Sequence, residues 1–157
     1  KSETNEFIKA LITGDIESMN EYMNDVALRT FSSFDSGKHT SEKKAPENFF
    51  HGFVLGLMVD QSDNYIITSN RESGFGRYDI MLEPKDKQSE KYPGIVIEFK
   101  VINPRRENSL EETVEAALKQ IQDKNYDAEL INRGVDKENI HHYGFAFRNK
   151  EVLIDGR

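Results

Sequence analysis

The sequence predicts an α/β protein in which helices flank a mixed central β-sheet, with a small helical segment ahead of it. Two observations predict the sheet: the residues along Arg77–Leu82 and Ile95–Val101 alternate in character, as expected for strands with one buried face. A third observation predicts the helices, because apolar residues recur three or four positions apart after Pro46 and after Ser109. Helices interspersed with groups of strands are typical of helices packed on a mixed sheet.

Residues 1–44 are predicted to form a helical lead-in and linker, ahead of a main domain at residues 45–157. Helical spacing from Phe7 to Ile12 stops at Gly14, and Asp15 is a suitable N-cap for a second helix that reaches Val26. Residues 30–44 are rich in Ser, Gly and charge, as in a connecting segment. Because the chain opens without a methionine, we expect a piece of a longer protein. The pattern leaves open whether the two helices belong to the main domain or end a preceding one.

The main domain has a predicted order of elements that brings three strands together as a meander. Helical segments are expected from Pro46 to about Val59 and from Ser109 to near Tyr126, the second with Glu112 completing a capping box. Strands are expected at Tyr65–Ser69, Arg77–Leu82, Gly94–Val101, Tyr143–Arg148 and Val152–Ile154, with a turn at Gly74 and Gly76 and another at Asn149-Lys150.

The composition excludes several classes of protein. The absence of cysteine rules out disulfides and thiolate metal sites. The most apolar run, Phe49–Val59, is too short to span a bilayer, and no signal peptide is visible, so a cytoplasmic protein is expected. The formal charge, 21 − 28 = −7, argues against a non-specific nucleic-acid binder. Gly74-Phe75-Gly76 lacks the Lys-Ser/Thr of a phosphate-binding loop, so this segment is not itself an ATPase.

Three charged residues lie inside stretches that otherwise read as buried strand: Asp79, Glu98 and Lys100. Glu98 and Lys100 share one strand face, and burying such charges is costly unless they neutralise each other or a metal. An Asp and a Glu on adjacent strands, with a Lys nearby, can form a Mg²⁺ site next to a cation, as metal-assisted phosphodiester cleavage requires. Taken alone the pattern is weak, and a surface ion pair is its simplest explanation.

Two residues on the first core helix are further candidates. Glu47 and His51 lie one helical turn apart and share a face beside the apolar stripe. A third carboxylate would complete an oxygen-rich cation site, which favours Glu47 as a metal ligand. For His51, a half-buried structural histidine is about as good an interpretation as a functional one.

The later helix and the remaining polar residues leave alternatives open. Gln120 should point toward the sheet and above the carboxylates, whereas Gln122 and Tyr126 form an alternative pair on another face. Arg77 either contacts a phosphate or neutralises Asp79 or Glu72. His141 and His142 are adjacent on a strand and point to opposite faces, so they are predicted to be structural.

With these residues in view, the chain resembles the PD-(D/E)XK nuclease superfamily, and more narrowly the bacterial branch that follows an AAA-ATPase-like domain. The resemblance runs from about Gly14 to the C-terminus. Its motifs are Gly14-Asp15-Ile16-Glu17-Ser18, Glu47 with His51-Gly52, Ser69-Asn70-Arg71-Glu72-Ser73-Gly74, Gly76-Arg77-Tyr78-Asp79, Ile97-Glu98-Phe99-Lys100, and Ala117-Leu118-Lys119-Gln120-Ile121 leading to Lys124-Asn125-Tyr126. Tyr78 replaces the proline that names the superfamily.

The resemblance implies a restriction-endonuclease-like core and Mg²⁺- or Mn²⁺-dependent hydrolysis of nucleic acid, with DNA the expected substrate. It implies metal ligation by Asp79 and Glu98, with Glu47 as a further ligand or as the holder of a ligand water. Lys100 would position or activate the attacking water and stabilise charge on the phosphate, and Gln120 would orient the site. His51, Arg77 and Tyr126 would contact substrate or support the ligands. A partner is also implied, the N-terminal AAA-ATPase-like domain of the full-length protein. The alternatives are a non-catalytic module of this fold that regulates such a partner, and a purely structural ion network.

Overall fold

The computed structural model describes residues 2–31, 45–70 and 79–157. Most of the predicted linker at 30–44, the predicted turn at Gly74 and Gly76, and the candidate Arg77 lie outside these ranges. The described helices are α1 (Ser2–Thr13), α2 (Ile16–Phe31), α3 (Ala45–Met58), α4 (Leu110–Asp123) and α5 (Asp127–Asn132). The described strands are β1 (Tyr65–Ser69), β2 (Ile80–Pro84), β3 (Gly94–Val101), β4 (Ile140–Arg148) and β5 (Glu151–Gly156).

The five strands form one mixed sheet in the order β1-β2-β3-β4-β5. Its pairs are antiparallel except for β3 and β4, which run parallel and are joined through α4 and α5. A parallel pair needs such a crossover, because a short turn cannot return the chain to the same end of the sheet. The predicted meander and the predicted α/β class with helices flanking a mixed sheet are both confirmed.

Helices cover both faces of the sheet, and each face has its own apolar core. Alternate residues of β3 divide between them: Ile95, Ile97 and Phe99 face α1, α2 and α3, whereas Val96 faces α4 and α5. The second core also includes Leu110, Val114, Leu118 and Ile121 of α4. Glu98 and Lys100 follow the parity of Val96, so they point to the α4 side of the sheet.

Local signals in the sequence explain where the helices begin and end. Gly14, at φ +81°, ends α1, and the Asp15 carboxylate accepts bonds from the Ser18 backbone at 3.1 Å and the Ser18 hydroxyl at 2.7 Å. Ser109 caps α4 through a 3.3 Å bond from the Glu112 N–H. The Glu112 carboxylate accepts a bond from the N–H of Asn108, not from the N–H of the cap residue Ser109.

Several element bounds differ from the predictions. The second strand begins at Ile80 instead of Arg77, so Asp79 lies directly before it, and the strand continues to Pro84. Helix α5 was not predicted, because six residues are too few to show a helical period.

The second strand also carries Glu83, a buried carboxylate that Lys87 and Arg133 neutralise at 2.7 and 2.9 Å. In the described ranges, no helix is long and apolar enough to cross a membrane.

Helices α1 and α2 contribute Phe7, Leu11, Met19 and Met23 to the same core as Phe50 of α3.

Helix α2 also covers the outer edge of β5. Asn20 donates to Ile154 O and accepts from Ile154 N, both at 2.8 Å, and Asn24 bonds to Val152 O and N in the same way, at 2.8 and 3.0 Å. Asn20 and Asn24 lie four residues apart on the helix, a rise of about 6 Å, and Val152 and Ile154 lie two residues apart on the strand, about 6.6 Å. Because the two spacings are nearly equal, each asparagine lies opposite one of these strand residues. The two asparagines therefore satisfy an edge that would otherwise be open to pairing. The division of the chain at residue 44 remains a prediction.

The asparagine pair yields a test of how α2 is attached. Asn24→Ala removes both partners of Val152 and should lower the free energy of unfolding by about 1–3 kcal/mol, measured by urea denaturation. The combined Asn20→Ala/Asn24→Ala variant should also show association through the exposed edge by analytical ultracentrifugation. Glu21→Ala, at an exposed position of the same helix, serves as the control. Unchanged stability in the double variant would contradict this account.

Candidate active site

Asp79 and Glu98 meet at the edge of the sheet where β3 ends. The Asp79 N–H donates to Ile97 O at 3.2 Å, and Asp79 Oδ2 accepts a 2.8 Å bond from the Phe99 N–H. These two bonds fix Asp79 to the β3 backbone on either side of Glu98. The carboxyl groups are consequently close enough to share a hydrogen bond when one of them carries a proton.

Glu98 is almost fully buried, with 6% of the residue exposed to solvent. Its Oε2 accepts a 3.2 Å bond from Gln120 Nε2. Its Oε1 is buried and has no hydrogen-bond donor within the described part of the chain. A buried acceptor without a donor is costly in an ordinary core, so this oxygen requires either a proton or a cation.

The pKa values of the pair are set by burial and by the charges around them. Burial raises the pKa of Glu98 to about 9, and the neighbouring Asp79 charge adds to the shift. Burial also raises the pKa of Asp79, against the lowering effect of the Phe99 N–H. The positive charge of Lys100 opposes both of these increases in pKa, but only in part. Two acids in such surroundings can be ionised together only when a further cation joins them.

Glu47 reaches this pair from the other layer of the molecule. It lies in the first turn of α3, is partly exposed, and its charge contributes to the raised pKa of Glu98. The structure thus brings Glu47, Asp79, Glu98 and Lys100 into one electrostatic cluster. In the described residues, however, no group of three or more acids or histidines is arranged to hold a metal ion as it stands.

Gln120 and Tyr126 complete the α4 side of the site. Gln120 Nε2 lies 3.2 Å from Glu98 Oε2 and 3.4 Å from the Tyr126 hydroxyl, which is buried and whose pKa is raised by burial. Gln122, the alternative partner of Tyr126 in the sequence, is exposed. The geometry therefore joins Gln120, rather than Gln122, to Tyr126.

Gly144 makes this approach of α4 possible, and the sequence reasoning missed it. Gly144 pairs with Glu98 across β3 and β4, and a Cβ there would lie 3.1 Å from Ala117 Cβ and 3.2 Å from Val114 O. A side chain at this point would push α4 away from the sheet and Gln120 away from Glu98. An isolated glycine inside an apolar strand signals a close approach of this kind.

The histidines have separate surroundings. His51 is buried, bonds Ser69 Oγ through Nε2 at 2.7 Å, and stacks on Phe99 at a ring distance of 5.6 Å, so it joins α3 to two strands. His141 Nδ1 lies 3.2 Å from the Tyr143 hydroxyl, whereas His142 Nε2 pairs with Asp127 at 2.6 Å. The two adjacent histidines have different partners on opposite faces of the strand, as predicted. Arg77 lies outside the described residues.

Comparison with known proteins gives one match, to a family model that covers most of the chain. The family model described as the PD-(D/E)XK nuclease superfamily matches residues 45–156, which is most of the chain. The chain belongs to the PD-(D/E)XK nuclease superfamily. No curated protein and no solved structure matches it. The matched region contains every described element from α3 onward, including both carboxylates, Lys100 and Gln120.

A divalent cation fits the acidic pair of this PD-(D/E)XK chain. Glu98 Oε1 is a buried acceptor without a donor among the described residues, and the Asp79 carboxyl lies next to it. Mg²⁺ usually takes one or two protein carboxylates and keeps several waters, so two acids suffice for a site of this type. Gln120 fixes the orientation of Glu98 from behind, as residues around metal ligands commonly do.

The raised pKa of Glu98 makes folding stability dependent on pH in metal-free solution. Above its ordinary value of 4.5 the residue ionises in the unfolded chain, whereas the folded chain keeps the proton until about pH 9. Stability is therefore lost as the pH rises between these values. Glu98→Gln does not titrate, retains an acceptor for Gln120, and should be more stable than wild type by on the order of 1–3 kcal/mol at pH 8. The gain should vanish near pH 4.5.

Urea unfolding in EDTA at several pH values measures this difference. Glu111→Gln, at an exposed position of α4, is the matched control and should show no pH-dependent gain. A Glu98→Gln protein that is less stable than wild type at pH 8 would instead favour the structural ion network.

Proposed function

We propose that this protein hydrolyses phosphodiester bonds of nucleic acid, with DNA as substrate, in a metal-dependent reaction centred on Asp79 and Glu98. The observation that carries the proposal is the buried carboxyl pair with an acceptor that lacks a donor within the described chain, held beside Lys100 in a PD-(D/E)XK fold. A structural ion network would not leave such an acceptor next to a second acid, because the arrangement destabilises the protein.

In this proposal Asp79 and Glu98 hold Mg²⁺ or Mn²⁺, and Glu47 is the candidate for a further ligand or for a residue that holds a metal-bound water. The ion, when bound, polarises the phosphate and lowers the pKa of a water molecule. The chain contributes the geometry. Two backbone contacts fix Asp79, and Gln120 fixes Glu98, so neither carboxylate has to reorganise during the reaction.

Lys100 supplies the positive charge on the substrate side. It lies one residue before the end of β3, on the same strand face as Glu98, and is partly exposed. An ammonium group there is suited to orient the attacking water and to stabilise the charge that develops on the phosphate oxygens. Tyr126 holds the amide of Gln120 from the opposite side, so that Gln120 keeps its bond to Glu98.

The proposal predicts a loss of metal-dependent cleavage without a loss of folding. Asp79→Asn keeps an oxygen for the Phe99 N–H, and Lys100→Met keeps the aliphatic stem. Each should lower kcat by on the order of 10³-fold or more, because the interactions removed are worth several kcal/mol in the transition state. Cleavage of labelled duplex DNA with Mg²⁺, Mn²⁺ or EDTA measures this, with circular dichroism to confirm folding. Activity in EDTA, or full activity in both variants, would refute the proposal.

Two glutamines on one helix offer an internal comparison. Gln120→Ala removes the support of Glu98 and should lower metal affinity or activity by about 10–100-fold. Gln122→Ala alters an exposed residue two positions away and should leave both unchanged. Titration of Mn²⁺ followed by cleavage assays separates the two quantities. Equal effects of the two substitutions would contradict the assignment of Gln120.

The second candidate is a non-catalytic module that regulates an AAA-ATPase-like partner. The net charge of −7 and the lack of a preformed group of three ligands among the described residues favour it. It predicts no Mg²⁺ or Mn²⁺ binding by calorimetry and a stable complex with the N-terminal half of the full-length protein. The nuclease proposal predicts binding of either ion by wild type that is lost in Asp79→Asn.

A further inference from the structure

We infer that Arg105 and Arg106, in the loop after β3, bind the phosphate backbone of the nucleic acid that enters the active site. This inference rests on the nuclease function proposed above and adds to it a binding surface outside the metal centre. The sequence predicted no basic stripe, because two adjacent arginines in a loop form no periodic pattern. Their position next to the active site follows from the fold.

The topology of the sheet places these arginines at the active-site edge. The parallel pairing of β3 with β4 continues one residue beyond the end of β3, through a 2.9 Å bond from Ile102 N to Phe147 O of β4. The loop then crosses from this edge to α4, which covers the same face as Glu98 and Lys100. Arg105 follows Lys100 by five residues and Arg106 follows it by six, and these segments span at most about 18 and 22 Å. Both arginines therefore lie within about six base steps of Lys100, at 3.4 Å per step along a strand.

The loop that carries the arginines is internally braced. Asn103 O accepts from Arg106 N at 3.0 Å and Glu107 N at 2.8 Å, and Asn103 Oδ1 accepts from Arg105 N at 3.1 Å. The Glu107 side chain ties this loop to α4, because its Oε1 accepts bonds from Asn103 N at 2.8 Å and from the Thr113 hydroxyl at 2.9 Å. The acid next to the arginines is thus occupied by the loop, while both arginines are exposed.

The pairing of the other arginines supports a functional role. Arg29, Arg133, Arg148 and Arg157 each form an ion pair with an acid, namely Asp25, Glu83, Glu151 and Glu115. Among the described arginines, Arg105 and Arg106 are the two for which no ion pair is present. In a chain with 28 acidic residues and 21 basic ones, two adjacent arginines without acidic partners are suited to an anion from outside. Guanidinium groups match phosphate in geometry and charge.

The test compares two variants that lose the same charge. Arg105→Ala/Arg106→Ala removes the proposed contacts, whereas Lys9→Ala/Arg29→Ala removes two exposed cations from α1 and α2, on the other face of the sheet. Steady-state cleavage of labelled duplex DNA at several salt concentrations gives kcat, KM and the slope of log KM against log salt. Thermal melting of each variant confirms folding.

The arginine variant should show a KM raised by on the order of tenfold, with kcat at saturation within about twofold of wild type. Its salt slope should be shallower by about 1.8 with duplex DNA or about 1.4 with single strands, for two lost phosphate contacts. Arg105→Lys/Arg106→Lys should retain most of the salt slope. The control variant should behave as wild type.

Each other outcome overturns the inference in an identifiable way. If wild type cleaves DNA and the arginine and control variants have the same KM and the same salt slope, the role of the arginines is refuted. The nuclease function then stands. Absence of metal-dependent cleavage and of DNA binding in wild type would refute both.

Discussion

The burial of Glu98 in β3 is the constraint on which the rest of the site depends. A carboxylate that is 6% exposed requires partners, and three parts of the fold supply them. The Asp79 backbone and side chain bind β3 on both sides of Glu98, Gln120 reaches it from α4, and Lys100 lies on the same strand face. The close approach of α4 in turn depends on Gly144, directly opposite Glu98 on β4. A single buried acid thus determines how strand and helix must meet.

The same arrangement explains why the site is unfavourable to folding in the absence of a cation. Burial raises the pKa of both acids, the Asp79 charge raises that of Glu98 further, and the positive charge of Lys100 compensates only in part. Elsewhere the fold neutralises a buried acid completely: Glu83, on the neighbouring strand, has both Lys87 and Arg133 within 2.9 Å, and its pKa is lowered. The contrast between Glu83 and Glu98 separates a structural carboxylate from one suited to bind an ion.

Strand alternation and helical spacing were sufficient to predict the sheet, the α/β class and the approach of Gln120 to the sheet. These features depend on local periods that a single sequence contains. The choice between Gln120 and Gln122 required the actual rotation of α4, and the start of β2 at Ile80 depended on pairing with β3. The pairing of Glu83 with Arg133 was missed because the two residues lie 50 positions apart. Long-range pairs of this kind have no counterpart in local spacing.

The acidic composition, which argued against nucleic-acid binding, is less decisive once the fold is known. Net charge is a property of the whole surface, whereas in the proposed reaction a substrate would meet only the edge where β3 and β4 end. There Asp79 accepts a bond from the Phe99 N–H, and Glu107 accepts bonds from within its own loop and from the Thr113 hydroxyl. The neighbouring arginines retain their charge toward solvent. An overall acidic protein can therefore present a locally cationic approach to an acidic metal centre, provided that each acid at that edge has an internal partner.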